Sequence, residues 1–386
     1  MNAIEYAKNI SEYLIRQRRH FHQNPEVSWQ EYKTSKHIQS ELDKMGIPYV
    51  VIDDLGIIAT LRGQKASPVI GLRCDMDALP VTEKTGLPFA SQNERVMHAC
   101  GHDSHMAMLL GAAKILSENK AAVSGTVKFI FQPAEESLAG ALSILKSPEV
   151  NDIDNYMSIH NLSTFPAGKI SVQEGPRMSS CGIFKIKVIG KGGHGAFPSL
   201  SIDPIVAACA LVGNLQSIVS RELDPVECGV VSVCSFNAGN RFNITPEYAE
   251  LSGTTRGYDK EFLAKLPGIM ERVIKHTCEV YRTTYEFNYE QSAPAVFNDP
   301  SSSAKARNAV IKILGEDALY DYPKTTGAED FAFYLQDKPG HLAYVGSGRI
   351  DEPVHPFHNP KFDIDERCLV IGAALYAQYA LENMDG

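Results

Sequence analysis

Residues 125–137 read GTVKFIFQPAEES. The segment up to Phe131 is a continuous apolar run that Pro133 breaks, and two adjacent carboxylates, Glu135 and Glu136, follow at once. A run without polar alternation belongs to a strand buried on both faces, as in a sheet covered by helices. Residues 155–162, NYMSIHNL, repeat the pattern with His160 near the carboxyl end. Around these two strands the first 180 residues alternate. Residues 1–45 read as two helices, RQRRHFHQNP (16–25) closing the first and SWQEYKTSKHIQSELDKMG (28–46) forming the second. Extended segments YVVI, IIATL and VIGLRCDM follow, then helices over 101–119 and over LAGALSILKS. This alternation predicts an α/β class with a covered central sheet.

Near residue 180 the pattern changes. CGIFKIKVIGKGG (181–193) is a long alternating strand. A helix follows from Asp203, a candidate cap, with Pro204 at its first position. Two strands come next, then a helix over 260–281 that Pro267-Gly268 interrupts, then the strand RTTYEFNYEQ. Strand–helix–strand–strand–helix–strand is the order of a ferredoxin-like module. Helices return with SSSAKARNAVIKILG, GAEDFAFYLQ and the terminal 365–383. The expected organisation is a catalytic α/β domain in two parts, 1–179 and 293–386, interrupted by an inserted ferredoxin-like α+β lid domain at 180–292.

The 386 residues exceed what one core usually supports, which agrees with two domains. Composition is that of a folded protein, 44% hydrophobic and 22% charged, with a formal charge of −9. No Lys/Arg-rich run stands out, so no nucleic acid partner is expected. No apolar run approaches the ~20 residues of a membrane span. The first 26 residues read as an amphipathic helix without an apolar signal core, so the expected location is cytoplasmic. Eight cysteines stand at 74, 100, 181, 209, 228, 234, 278 and 368 with no Cys-x-x-Cys pair. A disulfide framework is not expected, and most serve as small apolar residues.

Cys100 is the exception, because HACGHDSH (98–105) surrounds it with histidines. On an extended segment, Cys100 and His102 would share one face and aim at one object. Thiolate and imidazole both suit zinc and its first-row neighbours. The pair alone admits a second reading, a loop with a buried cysteine and a surface histidine. Glu135 and Glu136 cannot both be buried unpaired: either water solvates them or something positive sits between them. His160 stands at a strand end, and PVHPFHNPKFDID (353–365) adds His355 and His358 in a proline-pinned loop. Ligands gather at the carboxyl ends of strands in open α/β sheets, so these motifs converge on a metal site.

The motifs RRHFHQNPE, GLRCDMDALPVTEKTGLPFAS, MHACGHDSHMAMLLGAA, FIFQPAEE, IGKGGHGAFP, DPIVAA, FNITPE, GAEDFAFY and FHNPKFDID run from near residue 16 to near residue 366. In combination the sequence resembles the dinuclear-metal aminoacylase/carboxypeptidase superfamily. It is most similar to the branch of hippurate hydrolases, N-acyl-amino-acid amidohydrolases, N-acetyldiaminopimelate deacetylases and auxin-conjugate hydrolases. The resemblance implies hydrolysis of N-acyl amino acids by a metal-activated water. It implies two divalent ions, Zn²⁺ or Mn²⁺ with Co²⁺ or Ni²⁺ as alternatives, held by Cys100, His102, Glu136, His160 and His358, with Cys100 a candidate bridge. Glu135 matches the general base. Asp75 matches an active-site aspartate beside the metal shell, expected to orient a histidine ligand; Arg73, where other branches hold a histidine, cannot ligate. His194 is implied to polarise the substrate carbonyl, sometimes across subunits. Asn243 and Arg256 are candidates for the substrate carboxylate, or alternatively a strand-edge residue and a surface charge. A homodimer through the inserted domain is part of the same expectation.

His20 and His22 are expected to serve packing and hydrogen bonding, and His105 to start the next helix. Glu329 and Asp330 either lie near the metal pocket or cap a helix. Three rivals remain: a metal-independent cysteine hydrolase using Cys100, an inactive binding protein on the same fold, and a dipeptidase or carboxypeptidase of the same superfamily.

Overall fold

The computed structural model of the chain describes residues 1–349 and 353–384. Its helices are α1 (Ala3–Asn9), α2 (Ser11–Gln23), α3 (Tyr32–Met45), α4 (His102–Glu118), α5 (Gly140–Leu145), α6 (Pro204–Ser217), α7 (Lys260–Val280), α8 (Pro300–Leu314) and α9 (Arg367–Glu382). Its strands are β1 (Tyr49–Ile52), β2 (Gly56–Arg62), β3 (Val69–Asp75), β4 (Thr126–Gln132), β5 (Asn155–Pro166), β6 (Ile170–Ser171), β7 (Gly175–Met178), β8 (Cys181–Ile189), β9 (Gly193–His194), β10 (Gly229–Ala238), β11 (Ile244–Thr245), β12 (Tyr248–Gly257), β13 (Thr284–Ala293), β14 (Val296–Asn298) and β15 (Gly340–Gly348). The chain forms two compact units. One holds Met1–Arg177, Phe297–Pro323 and Glu329–Gly386; the other holds Met178–Val296 and Lys324–Ala328.

The first unit is built on a seven-stranded sheet in the order β1-β2-β4-β3-β5-β15-β6. The inner four strands, β4, β3, β5 and β15, run parallel, and the flanking strands pair antiparallel. Every residue of β3, β4 and β15 is buried, so both faces of the sheet are covered there. Helix α4 packs against β3, α2 and α9. Both α4 and α9 are buried almost all round, which is why neither shows a clean amphipathic stripe. Fully burying a side chain such as Leu109 or Leu375 contributes roughly 1.5–3 kcal/mol. The covered α/β sheet expected from the sequence is the fold observed.

The second unit carries an antiparallel sheet in the order β10-β12-β8-β13. With α6 after β8 and α7 after β12, this is the ferredoxin-like module. Helix α6 starts as its sequence spells out: Asp203 Oδ1 accepts from Ile205 N at 2.8 Å, with Pro204 at the first turn. Helix α7 differs from the expectation, for it runs straight through Pro267. An interior proline costs ~3 kcal/mol. Leu263, Leu266, Met270 and Ile274 are buried on one face of α7, and together they outweigh that cost. Pro204–Glu222 is long and apolar enough to cross a membrane by length and composition. Its Ala207, Ala208, Leu211, Leu215 and Ile218 are buried in the core of this unit.

Candidate metal centre and its glutamates

The parallel register sets the site. Asp75 pairs with Gln132, Arg73 with Ser158, and His160 with Tyr344, so Asp75, Gln132 and His160 reach one edge together. The loops beyond that edge bring the other groups in.

Cys100 and His102 do not lie on an extended segment. Gly101 between them is left-handed (φ 89°), and His102 is the first residue of α4. This turn, rather than the two-residue repeat of a strand, aims both side chains at one place. Glu135 and Glu136 likewise stand on a 3₁₀ turn, Glu135–Ser137, and not on an extended stretch. The turn is flanked by Ala134 (φ 56°) and Leu138 (φ 54°), and His358 is also left-handed (φ 62°). Each such non-glycine residue costs roughly 1–3 kcal/mol, which surrounding bonds must offset.

Those bonds are specific. Asp77 Oδ1 accepts from the Glu135 N–H at 3.0 Å, and Oδ2 from the Glu136 N–H at 3.1 Å and the Ser28 hydroxyl at 2.6 Å. The Asp77 carbonyl accepts from His102 Nδ1 at 2.8 Å. His160 Nδ1 donates to its neighbour's carbonyl, Asn161 O, at 2.7 Å. Each Nδ1 is thus engaged with a backbone carbonyl, which turns Nε2 toward the site, where His160 Nε2 lies 3.6 Å from Cys100 Sγ. His102 Nε2 and Glu136 Oε1 are buried with no hydrogen-bond partner. Buried polar atoms are rarely left so, and orphaned donor atoms facing one another call for a cation.

The donor atoms fall into overlapping sets. Those of Cys100, His102 and His160 lie within 4.8 Å of one another, and so do those of Cys100, Glu136 and His358. Cys100 belongs to both. His358 is half-exposed, while Cys100, His102 and His160 are buried. Burial, with His105 nearby, lowers the His160 pKa to about 3 and keeps it neutral. Burial opposes protonation of His102, yet the Asp75 charge and a side-chain hydrogen bond to Asp77 outweigh it and raise its pKa. Burial and the Glu136 charge push the Cys100 thiol well up, so only a bound cation would favour its thiolate.

Glu135 is buried, with Oε2 at 4.0 Å from His102 Nε2. Its carboxyl group lies within 4.8 Å of Glu329 and Asp330. Burial and then the charges of Glu329, Asp330 and Glu136 raise its pKa well above the carboxylate range. Glu329 and Asp330 therefore do both things the sequence left open. They lie beside Glu135, and Glu329 caps the 3₁₀ turn Asp330–Phe333 by accepting from Phe331 N at 2.9 Å.

Arg73 is fully buried and balances this acidic group. It reaches Asp75 at 3.0 Å, Asp330 at 2.7 Å, Glu329 at 3.1 Å and Gln132 at 3.0 Å. Arg73→Met strands three buried carboxylates, and we expect it to cost about 3–5 kcal/mol in urea unfolding. A loss below about 1 kcal/mol would show the carboxylates to be balanced some other way.

Asp75 holds His105, with Oδ1 at 2.6 Å from its Nδ1, while His102 Nε2 is 3.8 Å from Oδ2. The group that holds a predicted ligand histidine is Asp77, two residues on. His105 Nε2 accepts from Asn161 N at 3.0 Å, and Asn161 Nδ2 also reaches Gly101 O and Ser104 Oγ. Sequence reasoning missed Asp77, Asn161 and Ser28. Only Asp77 carried a signal, as the second acid of Asp75-Met76-Asp77 past a strand end. His22 serves hydrogen bonding as expected: Nδ1 meets Asp103, itself paired with buried Arg18, and Nε2 meets Glu83.

In the second unit, His194 on β9 pairs with Ile244 on β11. His194 and Asn243 line one open cavity of about 960 Å³ with Arg241, Glu247 and Tyr248. Asn243 Oδ1 is buried there without a partner. Arg256 lies at the opposite end of β12 from Tyr248 and donates to Thr254 Oγ1 and Thr255 O. The structure brings His194 and Asn243 together and leaves Arg256 apart from them.

Comparisons with known proteins place this architecture. The N-acetylcysteine deacetylase of Bacillus subtilis is 39% identical over 95% of this chain and 96% of its own. Thermostable carboxypeptidase 2 of Saccharolobus solfataricus is 37% identical over 99% of both chains. Among solved structures, the Bacillus subtilis YXEP protein, described as a dinuclear metal binding peptidase of the M20 family, superposes with a TM-score of 0.86. It is 35% identical and covers 97% of this chain and 98% of its own. The family model for peptidase family M20/M25/M40 matches residues 71–382. The resemblance read from the motifs is borne out, and the chain belongs to peptidase family M20/M25/M40.

Proposed function

We propose that this chain hydrolyses the amide bond of N-acyl amino acids to a carboxylic acid and a free amino acid. The observation that carries the reading is the pair of donor sets sharing Cys100, set beside a buried glutamate, Glu135, that belongs to neither. The N-acetylcysteine deacetylase relative supports the substrate class. Two divalent cations, Zn²⁺ or Mn²⁺ with Co²⁺ or Ni²⁺ as alternatives, held by Cys100, His102, Glu136, His160 and His358, would supply Lewis-acid charge and lower the pKa of a water. Glu135 takes the proton of the attacking water and returns it to the leaving nitrogen. Its raised proton affinity suits both halves of that task. Asp77 and Asp75 keep His102 and His105 in register around it.

His194 is assigned to the substrate carbonyl, where a donor stabilises the oxyanion, and Asn243 and Arg256 to the substrate carboxylate. We further propose, from the family resemblance, a homodimer through the second unit in which His194 serves the partner's substrate. A cysteine nucleophile is disfavoured, because reactive thiols have lowered pKa values and that of Cys100 is raised. Carboxypeptidase activity is a second reading, favoured by the carboxypeptidase relative. A dipeptide is itself an N-acyl amino acid, so the same chemistry serves both.

The test is amino acid release from N-benzoylglycine, N-acetyl-methionine, N-acetyl-diaminopimelate and Gly-Leu, as purified, after chelation, and after adding back Zn²⁺, Mn²⁺ or Co²⁺. We expect activity on an acyl substrate, lost on chelation and restored by metal. Turnover that survives complete metal removal would refute the mechanism, and preference for Gly-Leu would favour the peptidase reading.

A further inference from the structure

We propose that Glu31 is a positioning residue for the turn that carries Glu135 and Glu136, acting through the backbone of Ala134. The proposal rests on the reading of Glu135 as general base and Glu136 as metal ligand, and extends it to a residue some hundred positions earlier in the chain.

Three successive N–H groups open this turn, and two buried carboxylates take all of them. Glu31 Oε1 accepts from Ala134 N at 2.8 Å, and the two oxygens of Asp77 take the next two. Ala134 is the strained member of the three, left-handed at φ 56° without being glycine. Its carbonyl is fixed as well, accepting from Ser137 Oγ at 2.9 Å and Gly140 N at 3.3 Å. Released from Glu31, Ala134 would relax toward an ordinary backbone conformation and rotate the next two side chains away from the donor sets.

Glu31 itself stands on a firm base. Its carbonyl accepts from Ser35 N at 2.8 Å at the start of α3. The segment before it is tied to the loop after β3 by the Val27–Ala78 bridge and by Ala78 N donating to Glu26 O at 2.8 Å. Glu31 is 0% exposed, and its Oε2 has no partner. A half-satisfied buried carboxyl group is a poor choice for stability alone. Burial and then the Asp77 charge push its pKa up to about 7. Protonated at Oε2 or ionised, it still offers Oε1 to Ala134, and glutamine can offer the same oxygen.

The experiment compares Glu31→Ala, Glu31→Gln, Ala134→Gly and the double variant Glu31→Ala/Ala134→Gly. Two measurements are made: steady-state kinetics, giving kcat and KM on the best N-acyl amino acid, and Co²⁺ affinity by chelator competition. Glu31→Ala is expected to lower kcat about 10–100-fold with KM within about twofold, and to weaken Co²⁺ binding about tenfold. Glu31→Gln is expected to recover both to within about threefold, since it keeps the acceptor. Glycine adopts the left-handed conformation without strain, so Ala134→Gly should return roughly tenfold of the loss in the double variant. Because Ala134→Gly also relieves strain in an otherwise wild-type chain, only recovery in excess of the effect of Ala134→Gly alone counts. Near-normal kcat and Co²⁺ affinity in Glu31→Ala would overturn the proposal, as would Glu31→Gln no better than Glu31→Ala, or no recovery in the double variant. If Glu31→Ala does not fold, the double variant against Ala134→Gly gives the same comparison. If the wild type cleaves no N-acyl amino acid, the proposed reaction fails, while the Co²⁺ measurements still decide the role of Glu31.

Discussion

Glu135→Gln is expected to lower kcat by about 10³-fold while the fold, the metal content and KM stay close to wild type. Positioned general acid–base groups typically contribute about 10²–10⁴-fold. Glutamine keeps the size of the side chain, and the backbone N–H of residue 135 keeps its bond to Asp77 Oδ1. What disappears is a group that can accept a proton and return it. Thermal stability should hold or rise, because Glu135 is a buried acid crowded by Glu329, Asp330 and Glu136. Sites of this kind trade stability for function. Metal analysis and thermal unfolding of the purified variant check the two controls. A variant with full metal content and kcat within about tenfold of wild type would remove Glu135 from the mechanism.

The second large effect is expected at Gly101, through the metals rather than the base. Gly101→Ala should abolish stoichiometric metal binding and lower activity at least ~100-fold. Two costs coincide there. The left-handed φ of 89° disfavours any side chain, and an added Cβ would fall 2.0 Å from Asn161 Nδ2. Displacing Asn161 breaks its bonds to Gly101 O and Ser104 Oγ and its contact with His105. The joint between Cys100 and His102 then loses its shape. Gly86→Ala is the matched control, with φ 73° and nothing within 4 Å of an added Cβ. It pays the conformational cost alone, so it should bind metal normally. Equal behaviour of the two variants would mean that the clash with Asn161 has no consequence.

How much of this was legible depended on range. β3 and β4 announced themselves because a strand buried on both faces is mostly apolar, with Arg73 and Asp75 of β3 and Lys128 of β4 as the charged exceptions. Asp203-Pro204 announced α6 because a cap and a proline act on their own first turn. The helix through Pro267 was misread because the packing of Leu263 and Met270 against a distant sheet is invisible locally. The motifs marked out Cys100, His102, Glu135 and Glu136, but not the backbone that presents them. Left-handed turns at Gly101 and Ala134 do that work, and alanine carries no local signal for such a conformation. Asp77 was passed over for Asp75 because the two differ only in which histidine each reaches, a matter of tertiary register. Glu31 carries no local signal, because its partner, the Ala134 N–H, lies some hundred residues away.

The position of β15 has a consequence for the order in which the molecule is made. β15 enters the sheet between β5 and β6, pairing with β5 from Gly340–Tyr156 to Gly346–Leu162, and His358 follows it. The whole second unit is synthesised in between. At ~5–20 residues per second, roughly 10–40 s separate the emergence of His160 from that of His358. During that interval a nascent chain already displays Cys100, His102, Glu136 and His160, yet its sheet still lacks an inner strand. Pairing across so long a stretch is slow to nucleate, so the unfinished sheet is the form that quality-control factors meet. The second donor set can close only once β15 is in place, which ties amide-cleaving competence to completion of the fold.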